Sequence, residues 1–190
     1  MLPQERRIKT KADLNRFLCA ELKKYGKTKR IFLPFRETDI CAKYNFLLRK
    51  CEYHKNTDHR LRFVFYQIRL GFAQNKYGIH IPINTCDEGL KIMHVGPVLI
   101  NGNSIVGKNC SIHINTGLVA GGVNSDAPVL GDGVVVGFGA SVVGGVKIAD
   151  NVAIGAGAVV TKDVTEENIA VAGVPAKKVS DNGRLNWNKK

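Results

Sequence analysis

The sequence predicts a mainly β protein, a parallel solenoid of short stacked strands preceded by a small basic α-helical region. Three observations predict it. An aliphatic residue recurs at every sixth position in the second half of the chain, helical periodicity occurs only before it, and the excess positive charge lies in the first 80 residues. We expect a basic helical region over residues 1–77, a solenoid over 78–180 and a tail over 181–190.

Length and composition are those of an ordinary globular protein. The 190 residues suffice for one domain, or one domain with a small appendage, without disulfide staples. Five cysteines form no C-x-x-C pair, so we expect reduced thiols rather than a disulfide framework or a zinc knuckle. The first residues lack the apolar stretch of a signal peptide, and the uncharged stretch 133–146 is too short to span a bilayer. We therefore expect a cytoplasmic protein.

Three amphipathic segments before residue 78 predict helices. The spacing of their apolar residues places the helices over 10–25, 40–53 and 60–73, and Gly26 ends the first. In the third segment the apolar residues share one side, and arginines lie toward the opposite side. The apolar residues of that segment are Leu61, Val64, Phe65, Ile68 and Phe72.

The net charge of +12 comes from the first 80 residues, which hold 19 Lys and Arg against 7 Asp and Glu. Such asymmetry indicates an anionic partner. Two interpretations stay open. The basic face is simply solvated, or it docks on anionic lipid head groups or lipid-linked glycan phosphates, which would place the protein at the inner face of the membrane. We expect no nucleic-acid binding, because basic charge alone gives only non-specific affinity.

From about Gly78 a six-residue repeat replaces the helical pattern. Every sixth residue from Val106 to Val160 is aliphatic, except Asn124. Period six describes short strands separated by tight turns, with Gly and Asn where a positive φ is cheap. Coils of this kind stack and bury a continuous aliphatic column. The segment 121–128, around the break, is predicted to be a loop projecting from a coil.

The repeat and its exit resemble the hexapeptide-repeat acyltransferases. The match covers about residues 78–180, and the ending Asn168–Ser180 (NIAVAGVPAKKVS) is similar to the exit from the last coil in that family. The resemblance implies a left-handed parallel β-helix of triangular cross-section, an exception to the usual right-handed crossover. It also implies acetyl-CoA as the acetyl donor and a homotrimer with active sites between subunits.

Residues Gly89–Asn101 (GLKIMHVGPVLIN) resemble the active-site coil of serine acetyltransferases and of relatives that acetylate capsular or exopolysaccharide sugars. The resemblance implies that His94 is the catalytic base. Histidine suits this role because an alkoxide is scarce at neutral pH and imidazole titrates nearby. No Ser or Cys nucleophile arrangement is evident, so we expect direct attack by the acceptor. His113, Asn115 and Asn101 are candidates for acceptor binding, and a structural role stays open for His113 and Asn115.

The same resemblance places coenzyme A in a groove between neighbouring β-helices. Phe138 and Ala156 match positions that line this groove, and Gly121-Gly122 match a glycine pair beside the thiol end. Phe138 departs from the small residue that is common there. The candidates for phosphate contacts, with a merely solvated role left open, are the lysines Lys162, Lys177 and Lys178.

Two departures from the serine acetyltransferase pattern bear on the acceptor. Those enzymes place an aspartate before an I-H-P element to orient the base, where this chain has Ile79. Their D-R-H-P segment holds the substrate carboxylate, and its nearest match, residues 126–128 (DAP), has neither cation. A carboxylate would be poorly paired there. We therefore expect an acetyl-CoA-dependent O-acetyltransferase acting on a sugar or glycan precursor in polysaccharide biosynthesis, with serine O-acetyltransferase as the alternative.

Two further alternatives belong to other functional classes. A β-helix carbonic anhydrase needs three histidines on zinc. His80, His94 and His113 supply the number, but the close histidine pair of that family is absent, so we expect no metal. The other alternative is a scaffold without catalysis, which would keep its function when His94 is replaced by alanine.

Overall fold

A computed structural model of the protein describes residues 1–28, 36–122 and 125–186. The break in the repeat at Asn124 lies outside the described residues. Three α-helices come first: α1 (Lys11–Lys24), α2 (Glu37–Asn56) and α3 (Arg60–Tyr77). They occupy the three predicted segments, and short 3-10 turns lie at Gln4–Arg6 and Arg184–Asn186.

Local chemistry sets the ends of these helices. A capping box begins α1, in which Thr10 accepts from the Asp13 backbone N–H and the Asp13 carboxylate accepts from the Thr10 backbone N–H. Helix α3 ends at Gly78, whose φ of 69° lies in the left-handed region that glycine adopts without strain. The chain therefore turns sharply out of α3 and into the first strand.

Short strands occupy the rest of the described chain. In chain order they are β1 (Ile79–His80), β2 (Lys91–Ile92), β3 (Val98–Ile100), β4 (Ile105–Val106), β5 (Ser111–Ile112), β6 (Thr116–Val119), β7 (Val129–Leu130), β8 (Val135–Val136), β9 (Ser141–Val143), β10 (Lys147–Ile148), β11 (Ala153–Ile154), β12 (Val159–Val160), β13 (Ala170–Ala172) and β14 (Lys177–Ser180).

The strands form three sheets that the chain visits in rotation. Sheet 1 has the order β1-β3-β6-β9-β12, sheet 2 the order β10-β7-β4, and sheet 3 the order β14-β13-β11-β8-β5-β2. Strands pair in parallel, and the pairing of β13 with β14 is antiparallel. Each turn of the chain thus lays one strand on each side of a three-sided prism. This architecture is the predicted parallel β-helix.

The six-residue repeat forms the core of the prism. All nine aliphatic residues of the repeat are buried: Val106, Ile112, Leu118, Leu130, Val136, Val142, Ile148, Ile154 and Val160. Each packs on the equivalent residue of the next coil, as Ile154 does on Val136. The prediction of an inward aliphatic column is therefore confirmed.

Close stacking of the coils dictates glycine at Gly137. A Cβ atom there would lie 2.6 Å from the carbonyl oxygen of Ile154 in the next coil, so no side chain fits without moving backbone. Corner residues show the second requirement, a positive φ: Asn109 and Asn151 both have a φ of 58°. Asparagine tolerates this conformation better than most residues.

The helical region and the first coil share one apolar core. Leu48 and Leu70 of the helices are buried in the same cluster as Ile79 and Ile92 of the strands. Polar contacts reinforce the docking, since the Asn45 side-chain amide donates to the Leu90 carbonyl at 2.8 Å. The boundary near residue 78 is thus a change of secondary structure within continuous packing.

A buried ion cluster also joins the helices to the coil. The Arg49 side chain is 0% exposed and pairs with Glu21 at 2.7 Å and Glu52 at 2.8 Å. It also donates to the carbonyl oxygens of Cys86 and Asp87. Its partners come from α1, from α2 and from the first coil, so one guanidinium holds three parts of the fold together.

Glu21 makes the stability of this cluster pH-dependent. Burial raises the pKa of Glu21 from its ordinary 4.5 to about 7, although Arg49 opposes the shift. One of its carboxylate oxygens has no hydrogen-bond partner among the described residues. Folding therefore favours the protonated form, and the resulting stabilisation is complete below pH 4.5 and lost as the pH rises through about 7.

We accordingly predict that the free energy of unfolding falls by roughly 3 kcal/mol from this group between about pH 4.5 and pH 7.5, at about 1.4 kcal/mol per pKa unit. Urea titrations across this range measure it. Glu21→Gln should flatten the dependence, because the amide carries no titrating proton. An unchanged slope in that variant would assign the dependence to other groups.

The apolar side of α3 faces outward in the single chain. Its exposed side chains are Leu61 (89%), Val64 (53%), Phe65 (52%), Ile68 (55%) and Phe72 (74%). The opposite side packs inward through Leu70, which is 1% exposed. Within the described residues, no helix combines the length and the apolar character that crossing a bilayer requires.

Candidate active site

His94 lies where the chain turns from sheet 3 into sheet 1. The coil offset is 20 residues before this turn, where Ile92 pairs with Ile112, and 18 after it, where Val98 pairs with Thr116. The turn that holds His94 is therefore two residues longer than the turn stacked on it. The His94 side chain is 51% exposed, so the imidazole lies outside the prism and is open to a ligand.

A second histidine lies beside the first. The rings of His94 and His113 have centroids 6.0 Å apart and are tilted by 43°. Partial burial, the neighbouring His94 and the cation of Lys91 lower the pKa of His113, with burial the largest cause. His113 is thus neutral at neutral pH and can donate or accept a hydrogen bond. The sequence-predicted pair does come together.

A strip of uncovered backbone runs along the prism from these histidines. The positions stacked on His113 in the next two coils are Gly137 and Gly155, so no side chain covers the backbone there. Phe138 and Ala156, one residue further along, are both exposed. Coils are spaced about 4.8 Å apart. The strip therefore offers an extended ligand a track that begins at the imidazoles.

Sequence reasoning missed Glu37, which contacts His94 directly. One carboxylate oxygen of Glu37 lies 3.2 Å from Nδ1 of His94, and the other accepts the Val95 backbone N–H at 2.8 Å. These contacts lower the pKa of the Glu37 carboxyl, with the Val95 N–H the larger cause. Glu37 precedes His94 by 57 residues, and only the packing of α2 on the first coil brings them together.

Asn115 and Asn101 both form hydrogen bonds that shape turns of the backbone. Asn115 has a φ of 59° and its backbone N–H donates to the Pro97 carbonyl at 2.6 Å, so it shapes the turn above His94 while its side chain stays exposed. Asn101 follows β3, and its side-chain oxygen accepts the Asn103 backbone N–H at 2.9 Å. Asn101 lies at the next corner of the prism, one side away from His94.

The residues predicted to bind coenzyme A do not meet within one chain. Phe138 and Ala156 share the corner of His94, whereas Gly121-Gly122 and Lys162 lie at the corner between sheets 1 and 2. A side of the prism is about five residues long at about 3.3 Å each. The two groups are therefore separated by roughly 15 Å in a single subunit.

The exit lysines have different surroundings. Lys178 pairs with Glu166 at 2.5 Å and with Asp181 at 2.6 Å, and these hydrogen bonds raise its pKa. Lys177 is exposed and forms no ion pair with any residue in the described ranges. Of these two, Lys177 is the better placed for a ligand phosphate.

The thiols do not provide a nucleophile at this site. Burial raises the pKa of each of Cys41, Cys51, Cys86 and Cys110 to about 12, so these thiols stay protonated at neutral pH. All five cysteines are free, and Cys19 alone of the five is exposed. Throughout the described part of the chain, no three His, Cys, Asp or Glu side chains gather in a way that could hold a metal ion.

Comparison with known proteins agrees with this architecture. Residues 127–162 match the family described as "Bacterial transferase hexapeptide (six repeats)". The serine acetyltransferase of Synechococcus elongatus is 38% identical over 100 residues, which are 50% of this chain and 40% of that protein. The chain therefore spans less than half of that curated relative.

Solved structures match nearly the whole chain. The serine acetyltransferase of Brucella abortus strain S19 superposes with a TM-score of 0.69 at 20% identity, covering 91% of this chain and 71% of that one, and has also been solved with coenzyme A. The Neisseria gonorrhoeae enzyme, solved with serine, gives a TM-score of 0.65 at 27% identity, covering 90% and 70%.

The chain thus has the left-handed parallel β-helix fold seen in hexapeptide-repeat acyltransferases, whose family residues 127–162 match in sequence. Within that class, the proteins that this chain resembles over both its helices and its coils are serine acetyltransferases.

Proposed function

We propose that the protein is an acetyl-CoA-dependent O-acetyltransferase of the serine acetyltransferase type, with His94 as the general base. The observation that best supports this proposal is that the imidazole of His94 is half exposed and lies at the start of a strip of backbone that no side chain covers. Acetyl-CoA supplies an activated acetyl thioester when bound. The bare glycine positions beside Phe138 and Ala156 are suited to hold its extended arm close to His94.

The reaction needs one proton to move from the acceptor hydroxyl to the base and then from the base to the sulfur of the leaving thiol. Because Nδ1 of His94 faces Glu37, Nε2 is the atom left to accept the proton of the acceptor hydroxyl as its oxygen forms a bond to the acetyl carbon. Nε2 then returns the proton to the sulfur as the carbon–sulfur bond breaks. His113, whose ring centroid lies 6.0 Å from that of His94, is our candidate for a hydrogen bond to a reactant. With buried thiols, direct attack fits better than an acyl-enzyme.

L-serine is the acceptor that the relatives described above favour, which reverses the preference expected from the sequence. Those relatives are serine acetyltransferases, and none of them supports a role in polysaccharide biosynthesis. The structure adds a cation that sequence reasoning overlooked. Lys91 lies on β2, which leads into the turn of His94, and is our candidate for pairing with an acceptor carboxylate.

A sugar or glycan hydroxyl is the second candidate acceptor, and one observation favours it. Residues 126–128 (DAP) contain no cation, and Ala127 is buried. The loop therefore lacks the pair of groups that would hold a carboxylate in the expected way.

The separation of the candidate coenzyme A residues between two corners of the prism supports assembly into a homotrimer. Residues at two different corners of one prism can line a single groove only if the corner of one subunit meets a different corner of its neighbour. The exposed apolar side of α3 also indicates a surface that is covered in the assembly, since patches of this kind usually mark interaction sites.

Contact between the basic N-terminal region and an anionic membrane surface stays a prediction. The comparisons give it no support. Location in the cytoplasm, and at the inner face of the membrane, likewise stays a prediction.

Release of free thiol from acetyl-CoA tests the proposed function. We expect turnover with L-serine, measured against simple sugars and lipid-linked oligosaccharides in the same assay. Turnover with a sugar and none with L-serine would restore the glycan preference. No thiol release with any acceptor, despite binding of coenzyme A, would contradict the proposal.

A further inference from the structure

The carboxylate that contacts His94 comes from the helical region and not from the β-helix. Ile79, the position where the sequence resemblance would imply an orienting aspartate, is 0% exposed and packed in the core. No carboxylate can act from that position. The carboxylate in contact with His94 belongs to Glu37, the first residue of α2.

From this juxtaposition we infer that Glu37 is the positioning residue of His94 and sets the tautomer of the base. The inference rests on the proposed function. Because an ionised carboxylate only accepts hydrogen bonds, its contact at 3.2 Å requires a proton on Nδ1 of His94. A neutral imidazole carries one proton, so Nε2 is left with its lone pair free to accept the acceptor's proton.

The second oxygen of Glu37 makes the arrangement specific. It accepts the Val95 backbone N–H at 2.8 Å, so both carboxylate oxygens are engaged by adjacent residues of one turn. These two hydrogen bonds fix the Glu37 carboxylate relative to the backbone of the turn that holds His94. It also favours the ionised form, which is why the pKa of Glu37 is lowered.

Docking of α2 on the first coil keeps Glu37 in place. The Tyr44 hydroxyl donates to the Ile79 carbonyl at 2.9 Å, and the Asn45 amide donates to the Leu90 carbonyl at 2.8 Å. Both residues lie on α2 and hold it against the coil that carries His94. The helical region therefore supplies a part of the active site.

Glu37→Gln is a sharp test because Val95 determines how the amide sits. The Val95 N–H donates to a Glu37 oxygen, so we expect the Gln oxygen to take that place and the Gln NH₂ to face Nδ1 of His94. The donor then forces Nδ1 to accept and moves the ring proton to Nε2, the atom that should receive the acceptor's proton. A wrong tautomer of this kind is very costly in other histidine bases.

We expect Glu37→Gln to lower kcat by about 100- to 1000-fold while the KM for acetyl-CoA and the melting temperature stay near those of the unmodified protein. Glu37→Asp, which keeps the charge, should recover part of the lost kcat. Glu167→Gln, an exposed carboxylate-to-amide change on the exit side, is the matched control and should leave turnover unchanged. Long-range ¹H–¹⁵N correlation spectra of histidine-labelled protein should show His94 with its proton on Nδ1, and on Nε2 in Glu37→Gln.

The other outcomes separate this inference from the proposed function. Unchanged kcat in Glu37→Gln, together with loss of turnover in His94→Ala, would overturn the role of Glu37 and leave the function intact. Unchanged kcat with a raised KM for L-serine would instead make Glu37 an acceptor-binding group. An unchanged His94 tautomer in the spectra would overturn the inference whatever the kinetics. Unchanged turnover in both variants would contradict the proposed function itself.

Discussion

His94→Ala is expected to lower kcat by about 1000-fold while acetyl-CoA still binds with a Kd within about twofold of the unmodified value. The alanine removes the group that accepts the hydroxyl proton, and at neutral pH water cannot replace it efficiently. The uncovered strip along Gly137 and Gly155, which we propose holds the donor, is untouched by the change. Thiol-release kinetics measure the first quantity, and calorimetric titration with coenzyme A measures the second.

The matched control is His80→Ala. His80 is also an exposed histidine of the first coil, and it lies on β1, where it pairs with Leu99 of β3. This variant should keep full turnover. Equal losses in both variants would show that removing any histidine disturbs the coil, and no loss in His94→Ala would favour a scaffold without catalysis.

Arg49→Met is expected to destabilise the fold by about 3–5 kcal/mol. Methionine fills much of the same volume, but it leaves the carboxylates of Glu21 and Glu52 buried without their cation. It also removes the donors to two carbonyl oxygens of the first coil. For a protein of this size the melting temperature should fall by about 10 °C, which calorimetry or thermal circular dichroism can measure.

Arg62→Ala is the control, because it removes an exposed arginine from α3 and should change the free energy of unfolding by less than about 0.5 kcal/mol. Adding Glu21→Gln to Arg49→Met should restore about 1–2 kcal/mol, since it removes one of the two buried carboxyl groups that lost their cation. A loss below about 1 kcal/mol in Arg49→Met would mean that the ion cluster contributes little net stability, as some buried ion pairs do.

The β-helix and the proposed base, His94, were readable from the sequence because both depend on local patterns. A strict six-residue spacing of aliphatic side chains has no use in a helix or a flat sheet, so it predicts stacked coils. His94 was found because its neighbours form a recognisable motif. His113 was found because coil length fixes which residues stack. In each case the physical constraint acts between residues at fixed sequence separations.

Several features of the site were not readable in this way. Glu37 and His94 share no motif, and Arg49 is one of 28 Lys and Arg residues whose burial only packing reveals. The exposed apolar side of α3 has the same sequence pattern as a buried one. The coenzyme A candidates looked like one set, yet the prism separates Gly121-Gly122 from Phe138 by one side.

The sequence by itself therefore determined the repeating prism and the imidazole on its surface, because these follow from periodicity along the chain. Only the tertiary structure decided which carboxylate faces that imidazole, which cation lies buried, and at which corners of the prism the candidate cofactor residues lie. These depend on how helices and coils pack across long sequence separations, and no local spacing encodes that packing.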